Sequence, residues 1–341
     1  MKITFLTASP NQKRCGITDY TKLLCQELTK RKTKCECYGL NQKVISLNKS
    51  NKFPKADIFS IQFAPYSFSS SGLFGRSLFN LAASLSNKKL HINFHEIWIG
   101  AYPQAPLKER FIGWKQKREI LRFIDIGKPD YITCSNAATI NRMISSGIDV
   151  NYLYLFGNIP YAPCEKKKTS EFIKVVTFGT LYKKFPYEIL GEKLNELAKS
   201  VKLPIELKIL GRQRDFAGLE RIKSISENYG FSIVECGELP VKSISHELQL
   251  CDIGISTTPY DIIGKSGATA AMLEHGLPIL AFDDGDTPQE NLFIPDPFKE
   301  QIFLINDHSC VEKLLQYIEK PRKSFFDGVA HTANKMLELV F

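Results

Sequence analysis

The sequence predicts an α/β protein built from two Rossmann-like, doubly wound domains facing a cleft. Three observations carry that expectation. The 341 residues exceed what a single core ordinarily holds, and two domains of about 150 residues are the natural division. Short apolar runs alternate with segments of helical periodicity, the pattern of parallel strands covered on both faces by crossover helices. Between two such series lies Tyr161-Ala162-Pro163-Cys164-Glu165-Lys166-Lys167-Lys168, a Pro- and Lys-rich stretch that reads as a linker. The expected domains are 1–163 and 169–322, with a last helix over 323–341 crossing back to complete the first.

The first series opens with a strand over Lys2–Thr7, a loop, and a helix over Asp19–Arg31 whose Leu23, Leu24 and Leu28 form an apolar stripe. Strands follow at Cys35–Leu40, Ile58–Phe63, Leu90–His95, Tyr131–Ser135 and Asn151–Phe156. Helical patterns at Phe74–Leu85, Lys108–Ile124 and Ala137–Ser146 separate several of them. The second series places strands at Lys174–Phe178, Glu206–Leu210, Ser232–Cys236, Ile253–Ser256 and Leu277–Phe282. Its helices are expected over Tyr187–Ser200, Gly218–Asn228, Ser243–Gln249, Gly267–His275 and Cys310–Glu319, with a break at Pro321. In such sheets ligands sit outside the carboxyl ends of the strands, so the loops after the strands are where function is sought.

Composition narrows the classes. With 43% hydrophobic and 24% charged residues the chain is ordinary for a folded globular protein, which argues against disorder. The first residues lack the long apolar region and small-residue cleavage site of a signal peptide and read as a buried strand. No apolar run approaches the roughly 18 residues of a membrane span. The nine cysteines are scattered, and Cys35-x-Cys37 has no second pair at zinc-like spacing. Reduced thiols in a cytoplasmic protein are expected. The net charge of +9 gathers at Lys30–Lys34 and Lys166–Lys168. Solvated helix ends and a linker account for it, and attraction to an anionic membrane surface is the second reading. No basic helix or aromatic-basic ribbon suggests nucleic acid.

Six loops are the candidates for chemistry. In "SPNQKRCGITDYTKLL" a strand, a turn and a helix bring Gly16 to a position of close backbone approach, with Lys13 and Arg14 adding charge. Thr18 or Asp19 serves as a cap there. In "LHINFHEIWIG" His95 and Glu96 fall at the carboxyl end of a strand. A neutral imidazole there hydrogen-bonds a hydroxyl, and a carboxylate acts as base or orients the histidine; a purely structural histidine is the alternative. In "VVTFGTLYKKFPYEIL" Gly179 leads to Lys183 and Lys184, point charges suited to a diphosphate or simply solvated. "LKILGRQRDF" repeats the theme with Gly211, Arg212 and Arg214, whose planar forks suit phosphate. In "ECGELP" Gly237 and Leu239 form a tight turn that can present backbone groups to a nucleobase edge. "DIIGKSGATAAMLEHGLPIL" adds a glycine turn running into a helix, where Lys265 and the N–H groups of Ser266 and Gly267 meet an anion. A G-x-G-x-x-G fingerprint, a Walker loop, a G-x-S-x-G elbow and metal-ligand clusters are absent from the sequence.

Taken in order, these segments resemble the GT-B glycosyltransferases, especially the large retaining family 4, also called group 1. "CGITDYTKLL" resembles that family's N-terminal loop and helix, and "FHE" its strand-end histidine. "LFGNIP" is similar to the segment entering the linker, "VTFGTLYKK" to the phosphate-binding stretch, and "GKSGATAAMLEHGLPIL" to the donor loop and helix. The resemblance implies transfer of a sugar from a UDP- or GDP-linked donor, without metal or other cofactor, to a sugar, polysaccharide or lipid-linked acceptor. It implies His95 and Glu96 as catalytic residues. It implies Gly16, Gly179, Lys183, Lys184, Arg212, Gly237, Leu239, Lys265, Ser266 and Gly267 as donor contacts. A cytoplasmic enzyme, peripheral on the inner face of the membrane, is the corresponding location. The sequence departs from the family where two glutamates eight residues apart are usual: Ile263 and Ala271 occupy those places, and Thr180 stands for an arginine. A GT-B-fold protein that binds a nucleotide sugar or a partner without transfer is therefore the alternative, and another Rossmann-type enzyme, such as a sugar-nucleotide epimerase, the third reading.

Overall fold

The computed structural model of the protein describes residues 1–8, 15–40, 53–102, 104–165, 171–213, 216–283 and 294–340. The chain divides into two compact units, Met1–Tyr154 with Val329–Phe341, and Leu155–Gly328.

The first unit runs β1 (Lys2–Thr7), α1 (Gly16–Lys30), β2 (Lys34–Gly39), β3 (Ile58–Phe63), the single turn α2 (Pro65–Phe68), α3 (Gly75–Leu85), β4 (Leu90–Phe94), α4 (Leu107–Gly127), β5 (Tyr131–Cys134), α5 (Ala137–Ile144) and β6 (Asn151–Tyr152). Its strands pair in parallel in the order β2-β1-β3-β4-β5-β6. Strand order reverses between β1 and β3, so the crevice for a ligand opens at their carboxyl ends. The central strands β1, β3 and β4 are buried almost end to end, as parallel strands covered on both faces must be. Helix α1 turns Leu24 and Leu28 onto the sheet and leaves its lysines in water.

The second unit runs β7 (Ile173–Phe178), α6 (Tyr187–Val201), β8 (Ile205–Leu210), α7 (Phe216–Tyr229), β9 (Ser232–Gly237), α8 (Val241–Leu250), β10 (Ile253–Ile255), a 3₁₀ segment (Tyr260–Lys265) and α9 (Gly267–Glu274). It continues with β11 (Ile279–Ala281), α10 (Asp296–Lys299), β12 (Ile302–Leu304) and α11 (Cys310–Ile318); the last helix, α12 (Gly328–Val340), belongs with the first unit from Val329 on. The parallel order β12-β11-β10-β7-β8-β9 places the switch point between β7 and β10. One core joins Val175, Leu207 and Ile253 of the strands to Leu190, Leu194 and Ile222 of the helices.

The structure shifts several boundaries. The strand expected over Asn151–Phe156 is only Asn151–Tyr152. Residues 155–163, assigned from sequence to the first domain, belong to the second unit. Side chains of that unit claim them: Glu274 Oε1 accepts from the Gly157 N–H (2.9 Å), Ser245 Oγ from the Ala162 N–H (3.0 Å), and Gln249 Nε2 donates to the Ala162 carbonyl (2.7 Å). Gly157 is required there, since a Cβ would fall 2.5 Å from Ala271 Cα. Helix α1 starts at Gly16 rather than Asp19, with Cys15 at its cap position and no side-chain cap. Thr18 and Asp19 thus lie inside the first turn instead of capping it. Strand β12 carries no legible signal, being a three-residue edge strand. The expected linker lysines Lys166–Lys168 lie outside the described residues, as do Lys13, Arg14 and Arg214.

Candidate functional site

In the first unit His95 follows β4 directly, with its N–H bonded to the Phe63 carbonyl (2.9 Å). Its ring is buried, while Glu96 beside it is exposed. The histidine stands at the end of a polar seam inside the sheet. Strands β3, β4 and β5 turn Ser60, Gln62, His91, Asn93 and Thr133 to one face, in register as Ser60↔His91, Gln62↔Asn93 and Asn93↔Thr133. The alternate residues Phe59, Ile61, Phe63, Ile92 and Phe94 pack the other face.

Proton accounting fixes this seam. Gln62 Nε2 donates to Ser60 Oγ (2.9 Å), Asn93 Nδ2 to Gln62 Oε1 (3.1 Å), and Thr133 Oγ1 to Asn93 Oδ1 (3.0 Å). Thr133 has then spent its only proton, so His91 Nε2 must donate to it (2.9 Å). Neutral His91 therefore accepts at Nδ1 from Ser60 (2.9 Å), and the five side chains close a ring of hydrogen bonds. Gln62 Oε1 can only accept, so His95 Nε2 is the donor across their 2.8 Å contact. The 3.3 Å approach of Asn93 Nδ2 to His95 Nε2 joins two donors and is a packing contact. His95 thus carries its proton on Nε2 and its lone pair on Nδ1. Burial lowers both histidines to about 4, for His91 with help from His95, so the imidazoles stay neutral around pH 7. Tyr20 of α1 sets its ring edge against His95, centroids 5.1 Å apart at 84°. At the β1/β3 switch point a cavity of about 10 Å³, one water in size, is lined by Thr7, Cys15, Thr18, Gln62 and Ser67. Gly16 is exposed above it, with open space where a Cβ would stand.

In the second unit three successive strands end in glycines of positive φ: Gly179 (+88°) after β7, Gly211 (+90°) after β8, and Gly237 (+62°) closing β9. Their backbones step across the sheet edge, Gly179 N–H to the Leu210 carbonyl (3.0 Å) and Gly211 N–H to the Gly237 carbonyl (2.7 Å). Left-handed φ at Gly179 lets the chain leave β7 sharply. A Cβ there would approach Ala268 Cβ of α9 to 3.3 Å, so the Gly179 turn and the N-terminus of α9 share the switch point between β7 and β10. Gln213 braces the turn, donating to the Gly179 carbonyl (2.9 Å) and accepting from the Leu181 N–H (3.2 Å).

Helix α9 begins with Ser266 as N-cap, its Oγ accepting from the Thr269 N–H (3.2 Å) and the Thr269 hydroxyl (2.9 Å). With its proton so committed, Thr269 Oγ1 accepts from Ser256 Oγ (2.8 Å). The chain Ser256→Thr269→Ser266 leaves the Ser266 proton for a partner outside it. The first-turn N–H groups of Gly267 and Ala268 have no acceptor within the helix, and the dipole adds partial positive charge. Half-buried Lys265 closes the 3₁₀ segment just ahead. Gly179, Lys265, Ser266 and Gly267 thus gather N–H donors and positive charge at one corner of the sheet edge.

The remaining expected residues stand on other loops of the same sheet edge. Lys183 and Lys184 are exposed in the loop after β7, where Arg221 donates to the Lys183 carbonyl (2.9 Å). Arg212 is exposed beyond β8; Leu239, half-buried, follows β9 at the edge of the sheet. Sequence reasoning missed Gln62, Asn93 and Gln213. The first two had a signal: polar residues at every second position of "IFSIQF" and "LHINFH", in strands expected to be buried on both faces. Gln213 had none, because its role depends on a neighbouring loop.

Buried residues occupy the two positions where the resemblance placed a glutamate pair. Ile263 and Ala271 are both buried, and Ala271 is pressed against the Gly157 backbone. Glu274, buried on the same helix, is committed to the Gly157 N–H. Among the described residues no group of three or more His, Cys, Asp or Glu side chains is placed to hold a metal ion, and no helix is long and apolar enough to cross a membrane.

No protein-family model matches the chain, and no curated protein matches it in sequence. Solved structures match over nearly its whole length. An α-glucosyltransferase in complex with UDP and a 13-mer DNA containing an HMU base superimposes with a TM-score of 0.55 at 12% identity, covering 100% of this chain and 95% of that one. HepE of Anabaena, in complex with UDP and glucose, gives 0.51 at 15% identity over 99% and 98%. A protein of Listeria monocytogenes, described as a candidate UDP-N-acetylglucosamine 2-epimerase, gives 0.51 at 10% identity over 98% and 94%. At these identities the likeness shows the fold, GT-B, and the fold alone.

Proposed function

We propose that this protein is a glycosyltransferase that takes a sugar from a nucleoside-diphosphate donor, UDP- or GDP-linked, without a metal ion. One observation carries the reading: the N-terminus of α9, with Lys265 ahead of it and a free Ser266 proton, meets the Gly179 turn at the switch point of the second sheet. That corner suits the diphosphate, and the UDP bound in two of the similar structures supports the assignment. Gly237 and Leu239 are assigned to the nucleobase edge, and Gly16 to close approach at the substrate. Lys183, Lys184 and Arg212 add charge from neighbouring loops.

In this reading the bond from the anomeric carbon to the β-phosphate oxygen breaks to leave an oxocarbenium-like centre, and the acceptor oxygen bonds to that carbon on the face the phosphate leaves. The electron pair stays on the phosphate, where Lys265 and the helix N-terminus hold the new charge. The acceptor proton passes to the Glu96 carboxylate, and neutral His95 accepts a substrate hydroxyl at Nδ1. Retention of configuration and a sugar, polysaccharide or lipid-linked acceptor complete the proposal. The second reading, binding without transfer, draws on the buried positions of Ile263 and Ala271.

A screen of nucleotide sugars for transfer and donor hydrolysis, with and without EDTA, tests both. Turnover unaffected by EDTA supports the transferase, and loss in EDTA removes metal independence. Nucleotide binding with no turnover selects the binding protein. Release of an epimerised sugar selects the chemistry suggested by the Listeria protein's description. His95→Ala should lower transfer at least about 10²-fold while UDP affinity holds; equal loss of both would make the histidine structural.

A further inference from the structure

Helix α4 (Leu107–Gly127) has an inner face that explains itself and an outer face that does not. Gly113, Gln116, Ile120, Phe123 and Ile124 are buried. On the opposite side Leu107, Phe111 and Trp114 stand in line at helical spacing, 82%, 57% and 52% exposed. Three large apolar side chains in a row have no packing role on a monomer's surface. Phe111 and Trp114 stack on each other, centroids 6.1 Å apart. Lys115 Nζ lies 4.6 Å from the Phe111 ring, and the Arg118 guanidinium 5.0 Å from the Trp114 ring.

The charge on this face is one-sided. Lys108, Arg110, Lys115, Arg118 and Arg122 are all exposed, with Asp125 as the single exposed carboxylate of the helix. Glu109 and Glu119 are only half-exposed and engaged elsewhere, Glu109 by the Tyr102 hydroxyl (2.9 Å) and Glu119 by the Phe74 N–H (2.8 Å). Aromatic and aliphatic groups in a line, flanked by cations, match a headgroup layer, where apolar side chains reach the acyl boundary and cations meet lipid phosphates. Duplex DNA rewards the cations, but its paired and stacked bases offer the 82% exposed Leu107 no apolar layer to enter.

We infer that the outward face of the first four turns of α4 is a docking surface for an anionic phospholipid bilayer. Helix α4 runs back from the loop after β4, so its N-terminal end stands at the same edge of the first sheet as His95 and Glu96. Resting on the transferase reading, the surface makes a lipid-borne acceptor the substrate class, its headgroup delivered to that edge.

The test is binding of the full chain to phosphatidylcholine vesicles with and without phosphatidylglycerol, at physiological ionic strength, alongside UDP titration. Phosphatidylglycerol should tighten binding at least about tenfold and shift Trp fluorescence to the blue. The exposed-site variants Phe111→Ser/Trp114→Ser and Lys115→Glu/Arg118→Glu should each lose most of that gain while keeping UDP affinity. Absence of vesicle binding, or equal binding by both variants, overturns the surface. Capture by duplex DNA in preference to anionic vesicles does so in favour of nucleic acid. Vesicle binding that survives without any nucleotide binding leaves this surface standing and fells only the transferase reading.

Discussion

His95 Nε2 donates to Gln62 Oε1 across 2.8 Å, and this bond decides which nitrogen of the imidazole stays basic. Because the amide oxygen can only accept, the Nε2–H tautomer is imposed and Nδ1 holds the lone pair. Gln62 is itself held by Ser60 and Asn93, so the orientation of His95 is set by a ring of side chains rather than by one contact.

Replacing Gln62 tests that dependence. Gln62→Leu strips partners from Ser60, Asn93 and His95 at once and should cost about 2–4 kcal/mol in urea denaturation. Gln62→Glu places a carboxylate against His95 and should raise its pKa well above 4, read by a ¹⁵N-resolved pH titration. An unmoved His95 titration in Gln62→Glu would show that the bond does not control the ring.

Stability should fall in acid for an identified reason. His91, His95 and His275 are depressed to about 4, each chiefly by burial, while the unfolded chain titrates near 6.5. Between those values the unfolded state binds more protons. The stabilising contribution is therefore complete above about pH 6.5 and lost as pH falls through 4. Each histidine adds a slope of up to about 1.4 kcal/mol per pH unit. Tm measured from pH 7 to 4 should drop steeply, and less so in His275→Gln once its lower baseline is subtracted.

The proposed anion corner predicts graded losses of nucleotide affinity. Lys265→Ala should weaken UDP or GDP binding by about 1–3 kcal/mol in calorimetry. Gly179→Ala should weaken it too, and destabilise the fold by about 1–3 kcal/mol, since φ of +88° strains any residue with a Cβ. Undiminished affinity in Lys265→Ala would remove that lysine from the site.

Placing a glutamate at position 271 should fail. Ala271 is fully buried against the Gly157 backbone, so Ala271→Glu must bury an unpaired carboxylate and push that segment away. Loss of at least about 3 kcal/mol and no gain in turnover are expected. A stable variant with higher activity would mean that the segment yields and the place is open.

The alternation of strands and helices, and the cap and helix start of α9, were readable because both are local. "GKSGATAAMLE" contains its own turn, cap and helix, and glycines after apolar runs announce strand ends wherever the strands lie. Gln213 and the seat of residues 155–163 were not readable, since each depends on which distant side chain reaches a backbone group.

By itself, then, the sequence determined two doubly wound α/β units and a glycine turn with its serine cap before α9, because hydrophobic period and turn chemistry act over a few residues. Only the tertiary structure decided that Ser60, Gln62, His91, Asn93 and Thr133 close a ring behind His95, since strand register alone brings them together. It also decided that Ile263 and Ala271 are buried, Ala271 against the Gly157 backbone. Packing, unlike pattern, is a property of neighbours far apart in the chain.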